Sequence, residues 1–424
     1  MRGDGVTRIE VCADWVGLSE PTRMGELSVA LGRGGEVFSF QYDSDWLRSS
    51  RAQQLDPSLR LFGGPQYPAS GRANFGLFLD SSPDRWGRTL MVRRETLAAR
   101  DEKRRPRTLR SSDYLLGVHD AQRMGGLRFR TDPRGPYLAA GDELACPPWT
   151  SLRELEQASS AFEAGDPGDG VQYRQWLRVL MAPGSSLGGA RPKAGVRGTD
   201  GNLWIAKFPS RNDLMDCGAW EWVTHQLARE AGIDVSESHA RKLRSDHHTF
   251  LTRRFDRTPD GKRVHFASAM TLLGRGDGDG ADTGASYLEL AECLERHGSN
   301  PSRDLQQLWR RIVFSICVSN SDDHLRNHGF LLGQKGWALS PAYDVNPNPG
   351  ATGLHLNIDD SSNALDLRLA CEVAELFRVT PSGAKATVDR VVKVVSQWRS
   401  RATRIGIPRG EQEYMEPAFR AALG

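Results

Sequence analysis

The stretch Ser319-Asn320-Ser321-Asp322-Asp323-His324-Leu325-Arg326-Asn327-His328-Gly329 decides how the rest of the chain is read. Transfer of a phosphoryl group needs a carboxylate to orient and deprotonate the incoming hydroxyl. It also needs an amide oxygen and a second carboxylate to hold a divalent cation against the phosphates. Asp322 followed five residues later by Asn327 has the spacing at which phosphoryl-transfer loops carry the first two of these groups. Downstream, Phe330-Leu331-Leu332 and Trp337-Ala338-Leu339 flank Gly333-Gln334-Lys335-Gly336, a pattern that predicts a β-hairpin. Such a hairpin returns the chain to the loop and delivers Asp344 as the second carboxylate. Asp and Asn are also ordinary turn formers, so the spacing alone does not select a chemistry. Zinc coordination by His324 and His328 is the competing reading, but neither Cys partners nor a helical His-Glu-x-x-His pattern accompanies them.

Working upstream, Asn202 to Phe208 reads as a strand carrying Lys207 near its end, the arrangement that presents an ammonium to nucleotide phosphates. A helix beginning near Asp216 carries Glu221, a candidate partner that would hold Lys207 in place. Before that strand, Gly184-Ser185-Ser186-Leu187-Gly188-Gly189-Ala190 is a small-residue loop whose backbone N–H groups could approach phosphates closely. It fails the Walker A test, because no Lys-Ser/Thr follows Gly189. The strand Thr249 to Thr252 leads into Arg253-Arg254-Phe255-Asp256-Arg257, where a hinge between two lobes would meet adenine. Gly274 to Gly284 has the look of a calcium loop. Ala281 and Leu288 stand where carboxylates would be needed, so that pattern fails.

Composition sets outer bounds. At 424 residues the chain is long enough for two or three domains. A net charge of +3 argues neither for nor against nucleic acid. Six widely spaced cysteines without a Cys-x-x-Cys pair fit reduced, mostly buried thiols. No apolar run approaches the ~20 residues that span a bilayer, and Met1 to Gly5 has no signal-peptide core. No membrane association and a cytoplasmic location are therefore expected.

Residues 6 to 42 alternate apolar and polar side chains, as β structure does, with a hairpin around Gly32-Arg33-Gly34-Gly35. Residues 74 to 100 look helical past Pro83, which suits a helix start, and Tyr173 to Leu180 has helical spacing again. Arg100 to Arg110 is a basic run that reads as a solvated linker, with a patch for nucleic acid or an acidic partner as the sharper alternative. Either places a boundary near residue 105. Tyr287 to His297, Leu305 to Val318 and the Val388, Val391, Val392 and Val395 stripe followed by Trp398 are helical.

In this order the pieces resemble the HipA family of toxin serine/threonine kinases over nearly the whole chain. The most specific part runs from Leu308-Trp309-Arg310-Arg311 through Asn320 to Phe330 and closes with Leu339-Ser340-Pro341-Ala342-Tyr343-Asp344. Ser186-Leu187-Gly188-Gly189-Ala190-Arg191-Pro192-Lys193 is similar to the family's phosphate loop, with Arg191-Pro192 where Gln-Glu is frequent and Ser185 as an additional serine. Arg254 to Arg257 is similar to the hinge, and Phe40-Gln41-Tyr42-Asp43 with Trp46-Leu47 to the N-terminal subdomain.

The resemblance implies an α+β, two-lobed, protein-kinase-like fold. Its parts would be a β-rich subdomain over 1–105, a mixed N-lobe over 106–255 and an all-helical C-lobe over 256–424. It implies Asp322 as catalytic base, with Asn327 and Asp344 as Mg²⁺ ligands. ATP would be held by Lys207, Glu221, Ser186, Gly188, Gly189, Arg253, Phe255, Asp256 and His324. Ser186 or Ser185 would be the autophosphorylation site. The implied partners are a HipB-like helix-turn-helix antitoxin, operator DNA through that antitoxin, and a protein substrate such as an aminoacyl-tRNA synthetase. Two other functions fit the same residues: a small-molecule kinase of the aminoglycoside-phosphotransferase kind, and a non-catalytic co-repressor.

Overall fold

The computed structural model describes residues 6–138, 146–165, 180, 189 and 191–423. Ser185, Ser186 and Gly188, and all but the last residue of the expected 173–180 helix, lie outside the described residues. Packing divides the chain into two compact units, Met1–Ala206 with Asp256–Ala267, and Lys207–Phe255 with Ser268–Gly424.

In the first unit, strands β1 (Val6–Ala13), β2 (Thr22–Gly32), β3 (Gly35–Tyr42) and β4 (Leu127–Arg130) form an antiparallel sheet in the order β3-β2-β1-β4. Gly32 pairs with Gly35, leaving a two-residue turn at Arg33-Gly34 as the glycines lead one to expect. The alternation places Ile9, Val11, Leu27, Phe38, Phe40 and Phe129 in the core, where Phe78 joins them.

The helical stretch expected over 74–100, with Pro83 as a helix start, is two helices, Gly76–Asp80 and Arg85–Asp101. Pro83 has no N–H to continue the first, and Asp84 caps the second by accepting the Gly87 N–H at 2.7 Å. The Asp84 carboxylate also pairs with Lys193 at 2.8 Å, both side chains being almost fully buried. Burial pushes the Asp84 carboxyl up, opposed by the Lys193 ammonium and the Gly87 amide. Lys193 opens β5 (Lys193–Arg197), so the chain leaving the small-residue loop is tied to a helix cap. Part of the basic run is paired locally: Arg104 with Glu95 and Glu102, and Arg107 with Glu95 and Asp113. β6 (Leu203–Lys207) ends on the first residue of the second unit.

The second unit is mainly helical. Asp216 caps the helix Cys217–Glu230, and β7 (Ser238–Lys242) pairs antiparallel with β8 (His248–Arg253). A short strand, β9 (Phe266–Ser268), runs across the last cut between the units. Ser286 and Glu289 form a capping box on the helix Tyr287–His297. Asn300 and Pro301 start the helix Pro301–Val318, whose Trp309, Ile312, Val313 and Ile316 are fully buried. The expected hairpin is β10 (Gly329–Gly333) with β11 (Gly336–Leu339), closed through Gln334-Lys335 with Gly336 at φ 127°. The C-terminal part is thus not purely helical. The valine-striped helix spans Pro381–Val395, and Trp398 opens a separate helix to Ile405.

None of the six cysteines is in a disulfide, and Cys371 is exposed. Among the described residues, no helix is long and apolar enough to cross a membrane.

Candidate active site

The second unit gathers the polar residues singled out around the Asp322 loop. The helix Pro301–Val318 ends at Ser319, which adopts a left-handed conformation with φ 52°. The Asn320 N–H closes the helix end by donating to the Ser315 carbonyl at 2.9 Å. A non-glycine residue in that region costs of order 1 kcal/mol, and here it turns the chain sharply into the loop. Asn327 Nδ2 donates to the Asp322 carbonyl at 2.8 Å. That bond fixes the five-residue spacing read from the sequence. Asn327 Oδ1 is buried and has no hydrogen-bond partner among the described residues. The Asp322 side chain is exposed.

Asp344 lies 137 positions from Lys207 in sequence, yet its Oδ1 stands 2.7 Å from Lys207 Nζ. Glu221 Oε1 approaches the same ammonium at 2.6 Å. Burial works against the Lys207 charge, but Asp344 and Glu221 outweigh it and hold its pKa above the ordinary value. Asp344 is also left-handed, at φ 56°, a conformation that Asp tolerates better than most residues. Thr224 Oγ1, one helical turn beyond Glu221, donates to the Val345 carbonyl at 2.7 Å. The helix bearing Glu221 is therefore joined to the segment bearing Asp344.

Two residues that the sequence reading passed over complete this lacing. Asn346 donates its Nδ2–H to Asp344 Oδ1 at 3.2 Å and its amide to Asn320 Oδ1 at 3.1 Å. Asn348 Nδ2 donates to Ser321 Oγ at 2.7 Å. The only advance signal was the density of asparagine in Asn346-Pro347-Asn348, which by itself reads as a turn.

Beneath the loop, the buried Asp323 accepts from Tyr287 Oη at 2.6 Å and lies 3.2 Å from His328 Nε2. Burial would raise its carboxyl, but His328 and Tyr287 prevail and leave its pKa below the usual carboxylate value. A depressed acid contributes stability above its unfolded pKa and loses it as pH falls through the folded value. Tyr287→Phe removes one of the groups that hold Asp323 ionised. It should lower stability at neutral pH by ~1–3 kcal/mol and move the acid-unfolding midpoint, in the range below about pH 4, upward. Circular dichroism against pH would read both, and an unchanged midpoint would contradict the role given to Tyr287.

His324 packs edge-on against His355 at 5.8 Å, and its Nδ1 has no hydrogen-bond partner among the described residues. Phe255 packs against Tyr343 at 5.4 Å, whose hydroxyl donates to the Arg326 carbonyl at 2.5 Å. The Arg253 amide donates to the Glu237 carbonyl at 2.9 Å. Asp256 and Gly189 belong to the first unit. Asp256 is fully buried and accepts from the Gly125 amide at 2.9 Å and from Arg257 at 2.6 Å. Gly189 has φ 94°, and a Cβ there would stand 3.1 Å from Lys193 Nζ.

Comparison with known proteins shows what the chain is similar to. Residues 185–398, half of the chain, match the family model of the HipA-like C-terminal domain. A Haemophilus influenzae protein named "Putative kinase" is 30% identical over 142 residues, which is 30% of this chain and 41% of that protein. The Sinorhizobium fredii "Putative kinase Y4dM" is 31% identical over 162 residues, 35% of this chain and 38% of that protein. The matched regions thus span only about two fifths of these relatives' length. In architecture the chain is similar to HipA of Shewanella oneidensis MR-1, solved with HipB and its operator DNA. The TM-score is 0.67 at 17% identity, over 98% of this chain and 96% of that one. The matched segment contains the Lys207, Glu221, Asp322, Asn327 and Asp344 constellation, and the chain belongs to the HipA-like C-terminal domain family.

Proposed function

We propose that this protein is an ATP- and Mg²⁺-dependent kinase that phosphorylates serine or threonine hydroxyls of a protein. It would act as the toxin of a toxin–antitoxin pair. The observation that carries the reading is Lys207 held between Glu221 and Asp344, in the same compact unit as an exposed Asp322. The substrate hydroxyl oxygen attacks the γ-phosphorus of ATP, Asp322 takes the hydroxyl proton, and ADP leaves with the electrons of the broken P–O bond. The Lys207 ammonium, kept charged by its two carboxylates, offsets phosphate charge.

The residues fit a Mg²⁺ ion, because the buried Asn327 Oδ1 has no hydrogen-bond partner among the described residues and Asp344 supplies a carboxylate. Bound there, the ion would neutralise charge on the phosphates. No group of three or more His, Cys, Asp or Glu suited to a metal occurs among the described residues. Two protein ligands with phosphate oxygens and water completing the shell is the usual magnesium arrangement.

We further propose that Ser186 or Ser185 accepts phosphate in an autophosphorylation reaction. The partner would be a HipB-like helix-turn-helix antitoxin that brings the protein to operator DNA, and the substrate a translation component such as an aminoacyl-tRNA synthetase. These rest on the family resemblance. Incubation with Mg²⁺ and ATP, followed by mass-spectrometric mapping of phosphosites, tests the central reading. Phosphoserine at 186 or 185 is expected. Phosphate on a metabolite with none on protein would favour the small-molecule kinase, and absence of nucleotide binding would favour the co-repressor.

A further inference from the structure

The helix that carries Glu221 is held at its N-terminal end from more than one direction. Asp216 Oδ1 takes the Ala219 N–H at 3.1 Å and the His248 N–H at 2.8 Å, while Oδ2 meets His248 Nδ1 at 2.6 Å. The contact is close-packed: a Cβ at Gly218 would stand 2.0 Å from the His248 carbonyl oxygen.

The other hold comes from far along the chain. Glu411 Oε1 accepts both the Asp216 amide N–H at 2.9 Å and the Trp220 indole N–H at 2.7 Å. Trp220 immediately precedes Glu221, so one oxygen of the helix Arg409–Met415 grips the cap residue and the neighbour of the lysine's partner. Trp398 and Phe419, stacked at 4.5 Å, lie against Trp220 with ring centroids 5.9 and 6.1 Å away. In kinases the Lys–Glu pair must be in place for transfer, and the position of the glutamate's helix controls it.

We propose that Glu411 is a positioning residue for the Lys207–Glu221 pair, and that the C-terminal segment thereby sets the competence of the phosphoryl-transfer site. The proposal rests on the kinase reading above. Both donors are neutral N–H groups gathered on one oxygen, so the position requires an acceptor rather than a charge. Glutamine keeps that acceptor and leucine removes it.

The test compares the full chain with Glu411→Gln and Glu411→Leu. ATP turnover (kcat and KM) is read alongside hydrogen exchange of the amides at 219–221. Glu411→Leu should lower kcat/KM roughly tenfold, as expected for two lost hydrogen bonds, and speed exchange in that first turn. Glu411→Gln should stay within about twofold on both readouts, since the donors keep their acceptor. Should Glu411→Leu not fold, Trp220→Phe deletes one of the two donors and should show the same pattern in weaker form. Wild-type turnover and exchange in Glu411→Leu would overturn the proposal, as would equal impairment of the glutamine and leucine variants. If the wild-type chain transfers no phosphate, the kinase reading falls. The exchange comparison still decides whether Glu411 holds the helix.

Discussion

Asp322→Asn should cut phosphoryl transfer to protein hydroxyls by about 10²–10⁴-fold, the range for removing a positioned general base. It should do so while leaving the fold intact. Asp322 is exposed, and the five-residue loop is fixed by its backbone carbonyl, which accepts from Asn327 Nδ2 at 2.8 Å. That bond survives the substitution, and no buried group loses a partner. Stability should therefore stay within the roughly ±0.5 kcal/mol typical of surface changes. ATP binding, read by calorimetry, should persist because Lys207, Glu221 and Asp344 are untouched. Full activity in this variant would exclude Asp322 as the base. Loss of activity together with loss of fold would show that it has a structural role instead.

Lys207→Met should have the largest effect on stability as well as ending productive handling of ATP. The ammonium is shared by Glu221 at 2.6 Å and Asp344 at 2.7 Å, and those side chains are only 7% and 25% exposed. Removing it leaves two carboxylates facing one another with no cation between them. Breaking a buried pair in this way costs ~3–5 kcal/mol.

The pH dependence follows from the same geometry. Like charges disfavour ionisation, so one of the two carboxyls in the variant should have its folded pKa raised. Acid then relieves the repulsion, and the stability gap to wild type should narrow as pH falls from 7 toward about 4–5. A double variant, Lys207→Met with Glu221→Gln, should recover part of the loss even at neutral pH. Urea melts of the three proteins at two pH values would read this. A gap that is constant with pH would mean that the carboxylates do not face each other once the ammonium is gone.

Much of the frame is local and was therefore legible. The hairpin of β10 and β11 follows from apolar runs around glycines, and the Tyr287–His297 helix from its periodicity. Asp322 and Asn327 are joined by one bond within a tight turn, so their spacing carried their geometry. Lys207 and Glu221 are 14 residues apart, a strand end and the helix that follows it, and a pairing could be proposed from the order of elements alone.

Tertiary packing decided what sequence distance concealed. Glu411 reaches Asp216 across 195 positions, and Asp344 reaches Lys207 across 137. No periodicity links residues so far apart. The break between Gly76–Asp80 and Arg85–Asp101 is local, set by Pro83, but the burial of the capping Asp84 against Lys193, 109 positions away, is tertiary. Asn346 and Asn348 looked like turn residues until the fold set them opposite Asn320 and Ser321. The residue types and their local spacing were written in the chain. Their convergence on one ammonium and one loop required a packed core to bring distant segments together, because the contacts that fix it form only when both partners are buried at once.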